Sequence, residues 1–189
     1  MIKPIFEKID SNFNFQDYNF DCGVEELNHF FYENSRDFIK EDYSQLYLSR
    51  VKETSKIIGY FTLSCTSIRS DEKKLVSIEK IARNIPGLLL GMFAVDIKFQ
   101  EKGIGTDLIR KAVQISLKIS MNVGCRCLIV DSKINERLIR FYQKIGFEFV
   151  NIPLGSDIVH KIKNKIKIEK HTIKLYLDFH KIQRTPENT

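Results

Sequence analysis

Apolar residues along the chain change their period several times, and the changes mark out the elements. Ile104, Leu108, Ile109, Ala112, Val113, Ile115, Leu117 and Ile119 recur at helical spacing and predict an amphipathic helix ending near Ser120. Leu138, Phe141, Tyr142 and Ile145 predict a second over Asn135 to Ile145, with Gly146 at its C-terminal cap. Leu27, Phe30, Phe31, Asn34 and Phe38 give near-helical spacing, so one or two short helices cover roughly residues 24 to 41. Thr172 to Phe179 instead alternates, with Ile173, Leu175, Leu177 and Phe179 on one face of a strand. Leu88 to Val95 is apolar throughout, as in a strand buried on both faces, and Gly91 inside it predicts a bulge or a close backbone approach.

Weaker signals complete the pattern. Ile2 to Ile9, Leu46-Tyr47-Leu48, Ile57 to Cys65, Cys127 to Val130 and Phe147 to Val150 read as strands, and Lys52 to Lys56 as a turn. Ser67 to Pro86 reads as charged and irregular, with a short helix near Leu75 to Ala82 that Pro86-Gly87 ends. Between Asn151 and Lys170, Lys161, Lys163, Lys165 and Lys167 alternate with Ile162, Asn164 and Ile166, which on an extended segment puts the lysines on one face. Such a face serves either a nucleic acid or partner, or a hairpin edge where lysines discourage strand pairing; the edge is the simpler reading. The central strand–helix–strand–helix–strand order predicts an α+β fold (α/β/α), a mixed central sheet with flanking helices, in one domain over residues 1–189.

Composition narrows the function classes. A hydrophobic share of 43% belongs to a globular chain. Met1 to Asp10 lacks the features of a signal peptide, and no apolar run approaches the roughly 20 residues of a spanning helix, so a cytoplasmic location and no membrane partner are expected. Cys22, Cys65, Cys125 and Cys127 read as small buried side chains in a reducing compartment. His29, His160, His171 and His180 show no metal-ligand spacing, so no metal is expected. The net charge of +6 favours anionic partners such as nucleic acid or CoA phosphates.

The candidate chemistry begins where the buried strand ends. Val95 leads through Asp96 to Gln100-Glu101-Lys102-Gly103-Ile104-Gly105-Thr106, and a helix follows at once. Amides at a helix start lack intrahelical partners and, with the helix dipole, receive anions at about 0.3 to 2 kcal/mol per well-placed charge. Glycine at 103 and 105 admits a phosphate and permits positive φ, while Lys102 and Thr106 add a charge and a hydroxyl. Leu108 stands where a dinucleotide fingerprint needs its third glycine, and no G-K-[ST] of a P-loop is present. An ordinary strand-to-helix turn with a glycine cap remains the alternative for this turn alone.

V-D-x-x-x-Q-x-x-G-I-G from Val95 to Gly105, followed by R-F-Y-x-x-x-G-F from Arg140 to Phe147, resembles the pattern of the GNAT N-acetyltransferase superfamily over roughly residues 3 to 150. The resemblance implies a GNAT fold with acetyl-CoA as co-substrate. Phe93, Ala94 and Val95 would then bond the pantetheine through backbone groups, and Gln100 to Thr106 would cradle the pyrophosphate. Asn135 would lie near the pantetheine arm, Phe141 would line the channel, and Tyr142 would face the thioester sulfur. Departing CoA thiolate needs a proton, and a thiol pKa of about 8.5 lies below the roughly 10 of a phenol, so donation depends on position and developing charge.

A narrower resemblance adds the acceptor. Phe20-Asp21-Cys22-Gly23, Glu26-Leu27, Phe30-Phe31 and Gly59-Tyr60-Phe61 are similar to segments of the acetyltransferase toxins of bacterial toxin–antitoxin pairs. The resemblance implies acetylation of the α-amine of charged tRNA, a translation block, and a small DNA-binding antitoxin as partner; a second copy of the chain is left open. An α-amine, with a pKa near about 8, needs little deprotonation at neutral pH. Glu72, Glu79 and Asp96 are candidate bases among which the sequence does not choose. A small-molecule or protein amine as acceptor, and a GNAT-like module without catalysis, are the alternatives.

Overall fold

The computed structural model describes residues 4–52, 54, 56–69 and 84–183. Glu72, Glu79 and the short helix expected near Leu75 to Ala82 lie outside the described residues. The strands are β1 (Pro4–Ile9), β2 (Gln45–Val51), β3 (Ile57–Arg69), β4 (Asn84–Val95), β5 (Cys127–Lys133), β6 (Glu148–Phe149) and β7 (Thr172–Asp178). The helices are α1 (Glu25–His29), α2 (Ser35–Lys40), α3 (Ile104–Ser120), α4 (Glu136–Ile145), α5 (Ile152–Lys163) and α6 (Phe179–Gln183). The strands form one mixed sheet in the order β1-β2-β3-β4-β5-β7-β6, the α+β class expected. The chain divides into two compact units, Met1–Ser64 with Leu90–Ser116 and Cys65–Leu89 with Leu117–Thr189.

In the first unit β1 and β2 pair antiparallel from Pro4 opposite Val51 to Ile9 opposite Leu46, and β2 pairs antiparallel with β3. Between α1 and α2 the backbone opens into a π-helical turn at Phe30–Asn34, where the Ser35 hydroxyl donates to the Phe30 carbonyl at 2.9 Å. The wider turn lets Phe30 and Phe31 both face inward. There Phe31 meets Phe20, Phe15 and Tyr60 at ring-centroid distances of 4.9, 5.2 and 5.3 Å. Each such pair adds about 0.5–1.5 kcal/mol beyond its buried area. Buried Tyr60 donates its hydroxyl to the Leu27 carbonyl at 2.7 Å, tying α1 to β3.

In the second unit β7 pairs antiparallel with both β5 and β6, around a core of Ile68, Ile85, Cys127, Ile129, Val150 and Tyr176. Arg126 donates to both carboxylate oxygens of buried Asp178, at 2.7 and 2.9 Å. Burial works to raise the Asp178 carboxyl, but the Arg126 and His180 N–H donors and the Arg126 charge outweigh it, so the group sits below the usual carboxylate range.

The structure departs from expectation at several elements. Strand β3 runs on to Arg69 and β4 begins at Asn84, so Pro86-Gly87 lies inside a strand and ends no helix. Gly87 is small because β5 comes close: a Cβ there would sit 2.7 Å from Ile129 Cδ1 and 2.9 Å from the Cys127 carbonyl. Nor is β4 buried on both faces, since Gly91 is exposed and Met92 and Phe93 are half-buried. The close approach expected at Gly91 is present and is made by Thr62, whose hydroxyl accepts from Met92 N–H at 2.9 Å.

The lysine segment is not an extended edge. Asn151 caps α5 by accepting from Leu154 N–H at 3.0 Å, Pro153 stands in the first turn, and Gly155 and Ile158 are buried. Two lysines therefore belong to the last turn of a helix and the others follow it. Of the four cysteines, Cys22 and Cys127 are buried as expected, Cys125 is half-buried and Cys65 is exposed. All four are free thiols, and no group of three metal-ligating side chains occurs among the described residues.

Candidate active site

In the first unit the turn after β4 is built by side chains that return to the backbone. Asp96, 3% exposed, accepts from Lys98 N–H at 2.9 Å through Oδ1 and from Asp21 N–H at 3.4 Å through Oδ2. This candidate base is thus a cap for the short 3-10 turn Ile97–Phe99. Gln100 donates its amide to the carbonyls of Cys22 and Val95, at 2.9 and 3.0 Å. Val95, assigned from resemblance to the pantetheine, therefore already has a carbonyl engaged by the turn. Phe93 is half-buried and Ala94 buried in the same strand.

Beyond Gln100 the backbone alternates in hand. Glu101 has φ +62°, Gly103 has φ +83°, and Lys102 between them is not left-handed. Alternation of this kind turns successive N–H groups to one side and forms an anion-binding concavity. A Cβ built on Gly103 meets nothing within 4 Å, so its face of the turn is open. The Gly103 carbonyl accepts the first bonds of α3, from Thr106 N–H at 2.9 Å and Asp107 N–H at 3.2 Å. The amides of Ile104 and Gly105 precede those bonds, where a helix start offers its donors outward. Gly105 is helical, so its value lies in small size and not in positive φ. Glu101 takes the second left-handed position, which no residue type signalled.

Lysines gather beside this turn. The Lys102 ammonium donates to the Lys98 carbonyl at 2.8 Å and lies 5.9 Å from the centre of the Phe99 ring; Lys56 lies 5.2 Å from the same ring. Lys102 therefore contributes charge from a fixed place at the turn's flank.

The Phe-Asp-Cys-Gly segment gains a physical role. Asp21 Oδ1 accepts from Gly23 N–H at 2.8 Å and from the Asn28 amide at 2.7 Å, while Asn28 Oδ1 accepts from Cys22 N–H at 2.9 Å. These bonds to Gly23 and Asn28 hold the Asp21 carboxyl below its usual range. Ile97 N–H donates to the Asp21 carbonyl at 2.8 Å, so the segment is bonded to the start of the 3-10 turn through Asp96 and Ile97 and to its end through Gln100. Sequence reasoning missed Asn28 entirely, since a polar residue in a first helical turn carries no signal of its partners.

In the second unit α4 presents the other candidates. Asn135 caps the helix, its Oδ1 accepting from Arg137 N–H at 2.9 Å and Leu138 N–H at 3.3 Å, so its side-chain oxygen serves the helix. Gly146 closes it at φ +107°. Tyr142 is 6% exposed, between Phe141 at 5.2 Å and Phe147 at 5.5 Å between ring centroids. Burial pushes its hydroxyl up to about 12, so it holds its proton at neutral pH. Within each unit the predicted residues cluster: Phe93 to Thr106 in one, Asn135, Phe141 and Tyr142 in the other.

Sheet order, helix placement and the strand–turn–helix junction define an α+β fold in which β4 leads through a glycine turn into the start of α3. The chain belongs to the acetyltransferase (GNAT) family, whose model matches residues 11–147, and it is an N-acetyltransferase. It is 23% identical over 154 residues to a probable toxin TacT of Sinorhizobium fredii, an alignment covering 77% of this chain and 84% of that protein. Among solved structures it resembles AtaT complexed with acetyl-methionyl-tRNAfMet, at TM-score 0.75 and 22% identity, covering 96% of this chain and 98% of that one. It also resembles a tyrosine-to-phenylalanine mutant of the AtaT toxin bound to the C-terminus of the antitoxin AtaR, at TM-score 0.69 and 22% identity, covering 95% and 96%.

Proposed function

We propose that this chain moves the acetyl group of acetyl-CoA to the α-amine of an aminoacyl-tRNA and so blocks translation. The observation that carries the reading is the Gln100–Cys22 bond. It makes the toxin-type Phe-Asp-Cys-Gly opening a structural part of the turn that the acetyltransferase family uses for its co-substrate. The turn fits a pyrophosphate: an open face at Gly103, the outward amides of Ile104 and Gly105, and Lys102 at its flank. Relatives described as tRNA-bound and antitoxin-bound support a charged tRNA as acceptor and a small antitoxin as partner.

In the reaction the amine nitrogen bonds to the thioester carbon and the carbon–sulfur bond breaks. The proton lost by the amine ends, net, on the CoA thiol. Tyr142 is assigned the hydrogen bond to the departing sulfur; its high pKa keeps the hydroxyl a donor throughout. Backbone groups of Phe93 to Val95 are assigned to the pantetheine arm, and Phe141 to the channel wall. No described helix is long and apolar enough to cross a membrane, and the reaction belongs in the cytoplasm, where charged tRNA is.

The test is CoA release with charged tRNA, uncharged tRNA and a panel of free amines. Release with charged tRNA alone, abolished in Tyr142→Phe, supports the reading. Release with free amines and none with charged tRNA overturns it.

A further inference from the structure

Helices α4 and α5 enclose a groove of about 220 Å³, lined by Glu136, Ile139, Arg140 and Gln143 on one side, where Arg140 pairs with Glu136, and by Val159, Ile162 and Lys163 on the other. Its orientation is fixed from beneath. A Cβ on Gly155 would lie 2.3 Å from the Phe149 ring, and Ile158 is buried, so that face of α5 is turned to β6. The end of α5 is equally defined. Lys165 N–H donates to the Ile162 carbonyl at 3.2 Å and Ile166 N–H to the Lys161 carbonyl at 2.9 Å. This cap requires a left-handed residue, and Lys165 supplies it at φ +55°.

Glycine is the ordinary occupant of that position, because a side chain there is strained. A lysine at a strained cap points to a use for its charge. Lys161 is paired with Asp157 at 2.8 Å, and a cation in the last turn also complements the helix dipole. The dipole account extends to Lys163, in the same last turn, but neither account covers Lys165, Lys167 and Lys170, which follow the helix and have no carboxylate partner among the described residues. Glu169 is the single acid among residues 160–171. The result is a cationic ridge, of point charges and not planar forks, beside a groove whose walls are part aliphatic and part charged. Lysine ammoniums bind phosphates as point charges and require no fixed direction of approach.

We infer that this ridge and groove form a docking surface for the phosphodiester backbone of the acceptor nucleic acid. The inference rests on the tRNA reading above and adds a second binding area, remote in sequence from the cofactor turn. Binding through it is driven by counterion release and is steeply salt-dependent.

The test compares wild type with the triple variant Lys163→Gln, Lys165→Gly, Lys167→Gln, all at exposed positions. Charged-tRNA affinity is measured across salt concentrations. Acetylation of an aminoacylated trinucleotide, which carries only the acceptor's 3′ end, is measured alongside. The variant should bind tRNA on the order of tenfold more weakly, with a salt slope lower by about 0.7–0.9 for each phosphate no longer neutralised. Its trinucleotide turnover should be unchanged. Equal affinity and slope while wild type acetylates charged tRNA overturns the docking surface alone, including where the variant fails to bind an acidic peptide instead. A fall in trinucleotide turnover overturns it too, because the charges then serve the site and not a distant backbone. Wild type that acetylates free amines and neither binds nor acetylates charged tRNA overturns the acceptor reading, and the surface with it.

Discussion

The Gln100 side-chain amide donates to the Cys22 carbonyl at 2.9 Å across 78 positions of sequence. Its second bond, to Val95, makes one carboxamide the tie between the end of β4, the turn that follows it and the segment before α1. Replacing it by alanine removes two hydrogen bonds of about 0.5–1.5 kcal/mol each. Gln100→Ala should therefore lower the melting temperature and, by loosening the turn, weaken acetyl-CoA roughly tenfold by calorimetric titration. Unaltered affinity would show that the turn holds its shape without the tie.

Asn28 acts one step further out, through Asp21 and Cys22. Asn28→Ala should raise the KM for acetyl-CoA several-fold and leave kcat nearly intact, with Asn28→Asp restoring only the Cys22 bond and part of the affinity. A fall in kcat at constant KM would place Asn28 elsewhere in the reaction.

Tyr142→Phe should lower kcat by about 10² to 10⁴ while acetyl-CoA affinity holds, since only the hydroxyl is removed. The raised pKa has a stability counterpart. A group whose folded pKa of about 12 exceeds the unfolded value of roughly 10 contributes stability that is full below the latter and lost as pH rises through the former. Alkaline unfolding between those values should be shallower in Tyr142→Phe than in wild type. Superimposable denaturation curves would mean the hydroxyl ionises freely.

For Asp178 the sign reverses. Its depressed pKa contributes stability present above the unfolded value and lost as pH falls through the folded one. Arg126→Met should cost about 1.5–3 kcal/mol at pH 7, from hydrogen bonds to a charged group, and much less once the carboxyl is protonated. Urea melts at the two pH values measure the difference, and an equal penalty at both would rule out the ionic origin.

Gly155→Ala tests the seat of α5. The added methyl would enter the Phe149 ring, and overpacking of this kind costs typically about 1–3 kcal/mol. The melting temperature should drop; a neutral substitution would mean that α5 is free to shift on β6.

The parts of this fold that were legible in sequence are those where one physical signal dominates. The period of Ile104 to Ile119 gives α3 to its last residue, and Gly146 marks the end of α4. The errors arose where two signals conflict. Pro86-Gly87 carries turn composition, yet Gly87 answers to the closeness of β5. Lysines at alternate positions suggested an extended edge, although Asn151 and Pro153 announced a helix and Leu154, Ile158 and Ile162 kept its spacing. At the candidate site, glycine at 103 disclosed the turn, but the left-handed Glu101 and the Asp21–Asn28 bonds are properties of the folded backbone. Resemblance flagged the Phe-Asp-Cys-Gly segment without a reason for it; the bonds to Gln100 and Asp96 provide one.

The order β5-β7-β6 bears on how the enzyme is made. Strand β6 pairs with β7, and Leu177 lies against Gly146 at the end of α4. A ribosome that has completed residues 1–171 has produced Tyr142 and its helix but not the strand that joins β5 to β6. The later half of the molecule closes only when synthesis has passed Asp178. A chain stopped short of residue 172 therefore lacks the strand that joins β5 to β6, and its α4 should lose the neighbour at Gly146.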